Sequence, residues 1–196
     1  MRTIAAVLVL ASCVQEHGRQ PTAVEAAPAI AVEPVAPALD EPSLYDLDIR
    51  LRTSDDVEIG LDVQRGHPVL VTMFYASCPV ACPVLIEDLG RVAADLPAEI
   101  QRDLRFVIVS FDAARDTPQV LRELIAKRHL DERWTVASAN DADARTLAAT
   151  LGFKFRALAN GEYVHGATVV ALDREGRPIA RSEQIGHREA LRAALR

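Results

Sequence analysis

The residues best suited to chemistry are two closely spaced cysteines, Cys78 and Cys82, within the segment Phe74–Pro83. Two soft thiolates four residues apart in a turn can face the same metal ion, and sulfur ligands favour Cu(I). A structural zinc site is disfavoured because it usually needs four protein ligands, and the third cysteine, Cys13, lies far away near the N-terminus. A disulfide between the pair is the structural alternative, but its small loop adds little stability. The pair therefore predicts a metal site or a redox site.

The sequence around the cysteines predicts a buried strand followed by a helix. Val69–Tyr75 is a continuous apolar run, which is typical of a strand buried on both faces. Pro83 suits the first turn of a helix that ends near Pro97. Cys82 should then lie at or just before a helix N-terminus, where the helix dipole favours a thiolate. Both thiols would follow the carboxyl end of a strand, the usual position of ligand sites in α/β sheets.

The rest of the chain predicts alternating strands and helices after an N-terminal hairpin. Leu44–Arg52 alternates apolar and charged residues like a half-buried strand, and Val57–Ile59 is a short partner. The later predicted elements are strand Leu104–Phe111, helix Pro118–His129, helix Asp141–Leu151, strand Ala167–Leu172, a strand near Ile179 and a helix from about His187. We therefore expect an α/β fold: a thioredoxin-like sandwich with an N-terminal β-hairpin extension and a central mixed sheet flanked by helices.

The N-terminus has the features of an export signal. Ile4–Ala11 is apolar but far shorter than the roughly 20 residues of a membrane-spanning helix. Leu10–Cys13 resembles the lipobox of bacterial lipoproteins, so residues 1–12 are interpreted as a signal peptide and Cys13 as the lipidated residue. The alternative is an ordinary cleaved signal with Cys13 incidental. Residues 13–43 are rich in Pro and Ala and predict an extended tether, which leaves residues 44–196 as the folded domain. The expected location is periplasm-facing and membrane-anchored.

The composition argues against a disordered chain, a multispanning membrane protein and a nucleic-acid-binding protein. The 196 residues are 49% hydrophobic and 26% charged, as in an ordinary globular protein. The net charge is −6 and the basic residues are scattered, which argues against nucleic-acid binding. A monomer is the default expectation for a tethered domain.

Three motifs in the same order resemble those of the Sco/SenC family of copper proteins. They are Phe-Tyr-x-x-Cys-Pro-x-x-Cys-Pro at 74–83, Ser-x-Asp-x-x-Arg-Asp-Thr-Pro at 110–118, and Tyr-x-His followed by an apolar strand and an Asp-x-x-Gly turn at 163–176. The resemblance implies a thioredoxin-like fold from about Leu44 onward. It also implies that Cys78, Cys82 and His165 bind copper as Cu(I) or Cu(II). Taken alone, His165 would be interpreted as a surface or loop histidine.

Three further residues are candidates for supporting this site. Asp112 most simply pairs with Arg115 in a loop, and Asp116 or Thr117 caps the helix that follows. The alternative is that Asp112 and Asp116 orient the metal ligands through hydrogen bonds. Tyr163 is expected to pack, with its hydroxyl near the site.

The resemblance implies a metallochaperone. The acceptor would be the binuclear copper centre of cytochrome c oxidase subunit II or another cuproprotein, with a periplasmic copper donor upstream. The alternative is a thiol-disulfide oxidoreductase that reduces the acceptor's cysteines, so enzymatic activity stays open. A general thioredoxin role is disfavoured by the Cys-x-x-x-Cys spacing and by the lack of a proline before the Ala167 strand. Metal binding needs His165, whereas dithiol exchange does not.

Overall fold

A seven-stranded mixed sheet organises the residues described by the computed structural model, which are 42–78 and 81–196. The predicted signal peptide, Cys13 and the tether up to residue 41 lie outside the described residues, so these domain boundaries stay predictions. Within the described ranges, no helix combines the length and apolar character needed to cross a membrane.

The helices and strands follow one another in an α/β order after a short hairpin. They are β1 (Leu51–Thr53), β2 (Glu58–Ile59), β3 (Val69–Phe74), α1 (Ala81–Ala94), α2 (Ala98–Asp103), β4 (Arg105–Ser110), α3 (Pro118–Arg128), β5 (Trp134–Ala139), α4 (Asp141–Leu151), β6 (Phe155–Ala157), β7 (Tyr163–His165), β8 (Val169–Leu172), β9 (Pro178–Ser182) and α5 (Glu189–Ala194). Single turns of 3₁₀ helix cover Leu44–Asp46 and Leu61–Gln64.

The sheet order is β2-β1-β5-β4-β3-β8-β9. Strands β3, β4 and β5 are parallel to one another, whereas β1 pairs antiparallel with β5 and β8 pairs antiparallel with β3. Every residue of β3 is buried, as expected for a strand covered on both faces. The predicted α/β sandwich, with its mixed sheet and N-terminal hairpin, is confirmed.

Two predicted strands have different bounds in the structure. Of Leu44–Arg52, only the last two residues enter β1, because the segment begins with a 3₁₀ turn capped by Ser43. Leu44 and Tyr45 are consecutive yet both buried, which an alternating strand does not allow. The strand predicted from Ala167 begins instead at Val169.

The elements missed by the sequence analysis include strand β5, the short helix α2 and the hairpin β6–β7. The short helix α2 follows Pro97, which acts as its N-cap rather than only ending α1. The hairpin β6–β7 forms a separate two-stranded sheet in which Phe155 pairs with His165. Its strands have three residues each, too short for a periodic pattern to show. This hairpin carries the predicted histidine ligand.

Candidate metal centre

Three side chains with metal-ligating atoms converge at the carboxyl end of β3. One ligand atom each from Cys78, Cys82 and His165 lies within 4.8 Å of the other two. The Sγ atom of Cys78 is 3.7 Å from Nε2 of His165, although 87 residues separate them in sequence. The three residues implied by the family resemblance are therefore adjacent in space.

The two cysteines are positioned by the junction of β3 with α1. The strand ends at Phe74, and a turn follows in which the Cys78 amide donates to the Tyr75 carbonyl at 3.2 Å. Helix α1 begins at Ala81, so Cys82 lies in its first turn, and its amide N–H donates to the Cys78 sulfur at 3.5 Å. Both sulfurs are present as thiols rather than as a disulfide.

His165 is oriented by a backbone hydrogen bond at the end of β7. Its Nδ1 atom lies 2.7 Å from the Gly166 carbonyl oxygen. Because a carbonyl oxygen only accepts, Nδ1 is the donor in this hydrogen bond, and in the neutral imidazole the lone pair is then on Nε2. That is the nitrogen facing the Cys78 sulfur, so the imidazole is in the tautomer that a metal ligand needs.

Aromatic rings surround the imidazole. The centroid of the His165 ring lies 5.5 Å from that of Tyr75, 5.9 Å from Phe111 and 6.1 Å from Phe153. These rings pack against the imidazole and cover part of it, so that His165 is only partly exposed. Sequence reasoning did not assign the cluster, because its members come from four separate segments. The only available signal was an aromatic residue at the end of each predicted strand, Tyr75 and Phe111.

Burial controls the protonation of Cys82. Cys78 is 8% exposed and Cys82 only 3%. Burial raises the pKa of the Cys82 thiol well above its usual range, and the nearby Cys78 adds to the increase, while a backbone hydrogen bond involving Tyr75 opposes it. The helix N-terminus was expected to favour the thiolate of Cys82, but burial outweighs that effect. Copper would have to displace a proton from Cys82 on binding.

Asp116 secures the loop that leads to Cys78. The carboxylate is 1% exposed and accepts hydrogen bonds from the Ala76 amide at 2.8 Å and from the Ser110 hydroxyl at 2.5 Å. Burial raises the pKa of Asp116, and these two hydrogen bonds act in the opposite direction. Of the two expected caps for α3, Thr117 is the one that accepts, from the Val120 amide. Asp116 instead joins the end of β4 to the segment before the thiols.

Asp112 and Tyr163 meet through Arg115. Arg115 forms an ion pair with the buried Asp112 carboxylate, as expected from the sequence. Its guanidinium carbon also lies 5.5 Å from the centre of the Tyr163 ring. Burial raises the pKa of the Tyr163 hydroxyl, with a further contribution from Asp112. Because the Tyr163 ring packs 5.2 Å from that of Tyr75, this polar group extends the aromatic cluster around the histidine.

A buried ion pair connects the helix of Cys82 to the segment that follows His165. Arg188 Nε donates to Asp88 Oδ2 at 2.7 Å, and both side chains are at least 95% buried. The same guanidinium donates to the Ala167 carbonyl oxygen at 3.3 Å. This pair was not anticipated. The signal was that Asp88 falls three residues after Leu85, on the apolar face of α1.

Comparison with known proteins identifies relatives over most of the chain. The SCO1/SenC family profile matches residues 40–196. SenC of Rhodobacter capsulatus is 50% identical over 58 residues, which are 29% of this chain and 25% of SenC. The matched segments span between 25% and 38% of the lengths of the curated relatives.

Solved structures show the same fold. A SCO1/SenC family lipoprotein from Bacillus anthracis superposes with a TM-score of 0.66 at 20% identity, covering 80% of this chain and 95% of that one. Yeast Sco1, solved with copper bound, gives a TM-score of 0.64 at 18% identity, covering 78% of this chain and 86% of that one.

Proposed function

Because the chain belongs to the SCO1/SenC family over residues 40–196, we propose that Cys78, Cys82 and His165 bind one copper ion, which the protein passes to an acceptor. The observation that carries this proposal is the convergence of two sulfurs and one imidazole nitrogen within 4.8 Å. The burial of both cysteines and the tautomer of His165 support it.

The donor set suits copper as a transferable cargo. Two thiolates and one imidazole are ligands that select copper over hard cations such as magnesium or calcium. Three protein ligands leave room for an incoming sulfur, so a fourth bond can form before one of the original bonds breaks. Copper can then leave by ligand exchange without being released into solution.

The acceptor and location are proposed from the family. The proposed acceptor is the binuclear copper centre of cytochrome c oxidase subunit II, with a periplasmic copper donor upstream. We also propose that Cys13 is lipidated, that residues 13–43 tether the domain, and that a monomer faces the periplasm. The name of the Bacillus anthracis relative, a lipoprotein, supports the anchor. Asp112, Asp116 and Tyr163 are proposed to orient the site.

Copper stoichiometry in the reduced full chain tests the ligand set. We expect the wild type to retain about one copper after desalting, because three donors converge on one point. His165→Ala and Cys78→Ser should lose it. His187→Ala is the matched control, since this histidine is exposed and outside the cluster. Retention by His165→Ala at the wild-type level would contradict the three-ligand site.

Thiol-disulfide exchange is the second candidate, because the two sulfurs are also close enough to react with each other after a small movement. Oxidation to a disulfide would remove both thiolate ligands, so redox state would control copper loading. His165→Ala discriminates the two functions: a reductase should keep its activity, whereas a copper carrier should not keep its copper.

A further inference from the structure

A groove beside the thiols runs between α1 and α3. It has a volume of about 310 Å³ and is lined by both cysteines of the site. From α3 it takes residues spaced at three and four positions, including Val120, Leu124 and Lys127, so one complete face of this helix forms its wall. Ile86 contributes from α1. We call this feature the α1–α3 groove.

The α1–α3 groove is the open approach to the sulfurs. Cys78 and Cys82 are 8% and 3% exposed, so a partner can reach them only through a gap in the surrounding residues. The groove touches both cysteines, whereas His165, which is partly exposed, is absent from its described lining. A ligand that enters along the groove would therefore meet the sulfurs rather than the imidazole.

The lining changes in character along the groove. Near the thiols it is apolar, through Ile86, Val120 and Leu124, and its far end has Lys127 and Arg128. Glu123 is the single carboxylate of the described lining, so the groove is net positive in a chain whose net charge is −6.

Arg128, at this end, forms a long ion pair with Glu87. Its Nε–H is buried without an acceptor among the described residues. Its Nη1 atom lies 3.7 Å from the Glu87 carboxylate, beyond hydrogen-bond distance. Burial seals the Nε–H from the groove, but the Arg128 side chain is 24% exposed, so a carboxylate in the groove can compete with Glu87 for the guanidinium.

We propose that the α1–α3 groove binds an extended segment of the copper acceptor, with a cysteine at the thiol end and a carboxylate at the Lys127–Arg128 end. This inference rests on the proposed function. From Val120 to Arg128 helix α3 rises about 12 Å. An extended chain covers this in about four residues. Because the sulfurs lie beyond Val120, the acceptor should carry its acidic residue at least about four positions from its cysteine.

The transfer step is a ligand exchange without change of oxidation state. The acceptor thiol loses its proton and forms a new Cu(I)–S bond. The bond from Cu(I) to one cysteine of this protein then breaks, and that sulfur takes up a proton. No electron acceptor or donor is needed.

Copper transfer from the loaded full chain to two synthetic peptides tests the groove. The acidic peptide has one cysteine and two aspartates four positions away, in either order along the peptide, and the neutral peptide has asparagines instead. Rates are measured by stopped-flow absorption at low and high salt. For the wild type we expect transfer to the acidic peptide to be at least about threefold faster at low salt, with the difference lost at high salt.

Three variants locate the contact. Lys127→Glu should abolish the preference for the acidic peptide, and Leu124→Glu should slow transfer to both peptides by obstructing the apolar part of the groove. Lys154→Glu is the matched control, because it reverses the charge of an exposed lysine that is outside the groove lining and directly precedes β6. It should retain the preference. Lys127 is exposed, so its variant should fold even if Leu124→Glu does not.

Copper loading, measured first for every variant, separates the two proposals. A wild type that binds no copper would overturn the proposed function and this inference with it. A wild type that loads copper and transfers it equally to both peptides, unaffected by Lys127→Glu, would overturn the groove alone. Slower transfer only in Lys154→Glu would place the entry route on the histidine side and also overturn it.

Discussion

Replacing Asp88 with asparagine should leave the Arg188 guanidinium buried without its countercharge. The two side chains are 5% and 1% exposed, and burial already lowers the pKa of Arg188 while Asp88 opposes that effect. Removing one partner of a buried pair typically costs about 3–5 kcal/mol. Arg188 keeps its hydrogen bonds to the Ser182 and Ala167 carbonyls, so we expect a value near the lower limit, about 3 kcal/mol.

Urea unfolding followed by circular dichroism measures this loss. With a slope of about 2 kcal/mol/M, the midpoint should fall by roughly 1.5 M. Asp95→Asn is the control, because Asp95 pairs with Arg192 at a similar distance, 3.0 Å, but is 58% exposed. Such a surface pair contributes at most about 1 kcal/mol.

Comparing the urea midpoints of the two variants tests whether the buried ion pair stabilises the fold. If Asp88→Asn lowers the midpoint no more than Asp95→Asn does, the buried pair does not stabilise the fold as argued. The double variant Asp88→Leu with Arg188→Met should recover much of the stability, because it removes both buried charges. Copper retention by Asp88→Asn should also fall, since the pair connects α1 to the residues after His165.

Three further perturbations have expected outcomes. Gly176→Ala should destabilise the fold by about 2 kcal/mol or more, because its φ is +83° and a Cβ there would lie 2.5 Å from the Tyr45 ring; thermal unfolding measures this. Gly90→Ala should instead stabilise it by about 0.5–1 kcal/mol, since this glycine lies inside α1 with open space around it, and an unchanged or lower melting temperature would contradict that reasoning. Asp103→Asn should lower stability at pH 7 by about 1 kcal/mol or less. Partial burial acts to raise the pKa of Asp103, but hydrogen bonds from its two basic neighbours outweigh it and lower the pKa. The native state therefore binds fewer protons than the unfolded state below about pH 4, and the stabilisation is lost as the pH falls through the folded pKa. The difference between the urea midpoints of wild type and variant should thus be smaller at pH 3 than at pH 7, whereas Asp55→Asn, in an exposed turn, should leave the midpoint unchanged at both pH values.

Local signals were sufficient for the elements that carry the thiols. The uniform apolar run of β3 predicted a doubly covered strand, and Pro83 predicted the start of a helix around Cys82. Helix α4 has the bounds that were predicted for it, and in the structure Asn140 caps its start and Gly152 its end. These features depend on neighbours within a few residues, so a sequence displays them directly.

The position of the histidine needed more than local pattern. From its own surroundings His165 would have been interpreted as a loop residue, and only the resemblance to a family connected it with the cysteines. Its hairpin has strands of three residues, below the length at which alternation is recognisable. The resemblance to a family therefore identified His165 as a candidate metal ligand, which the hydrophobic pattern of the sequence did not.

The sequence by itself determined the strand–loop–helix unit with two thiols, the order of most elements and a set of motifs typical of one family. The tertiary structure decided which thiol is desolvated, which nitrogen of His165 faces the sulfurs, and that Asp88 meets Arg188 from 100 residues away. The physical reason is range: helix capping and strand burial act through adjacent residues, whereas desolvation and ion pairing depend on groups that only the folded sheet brings together.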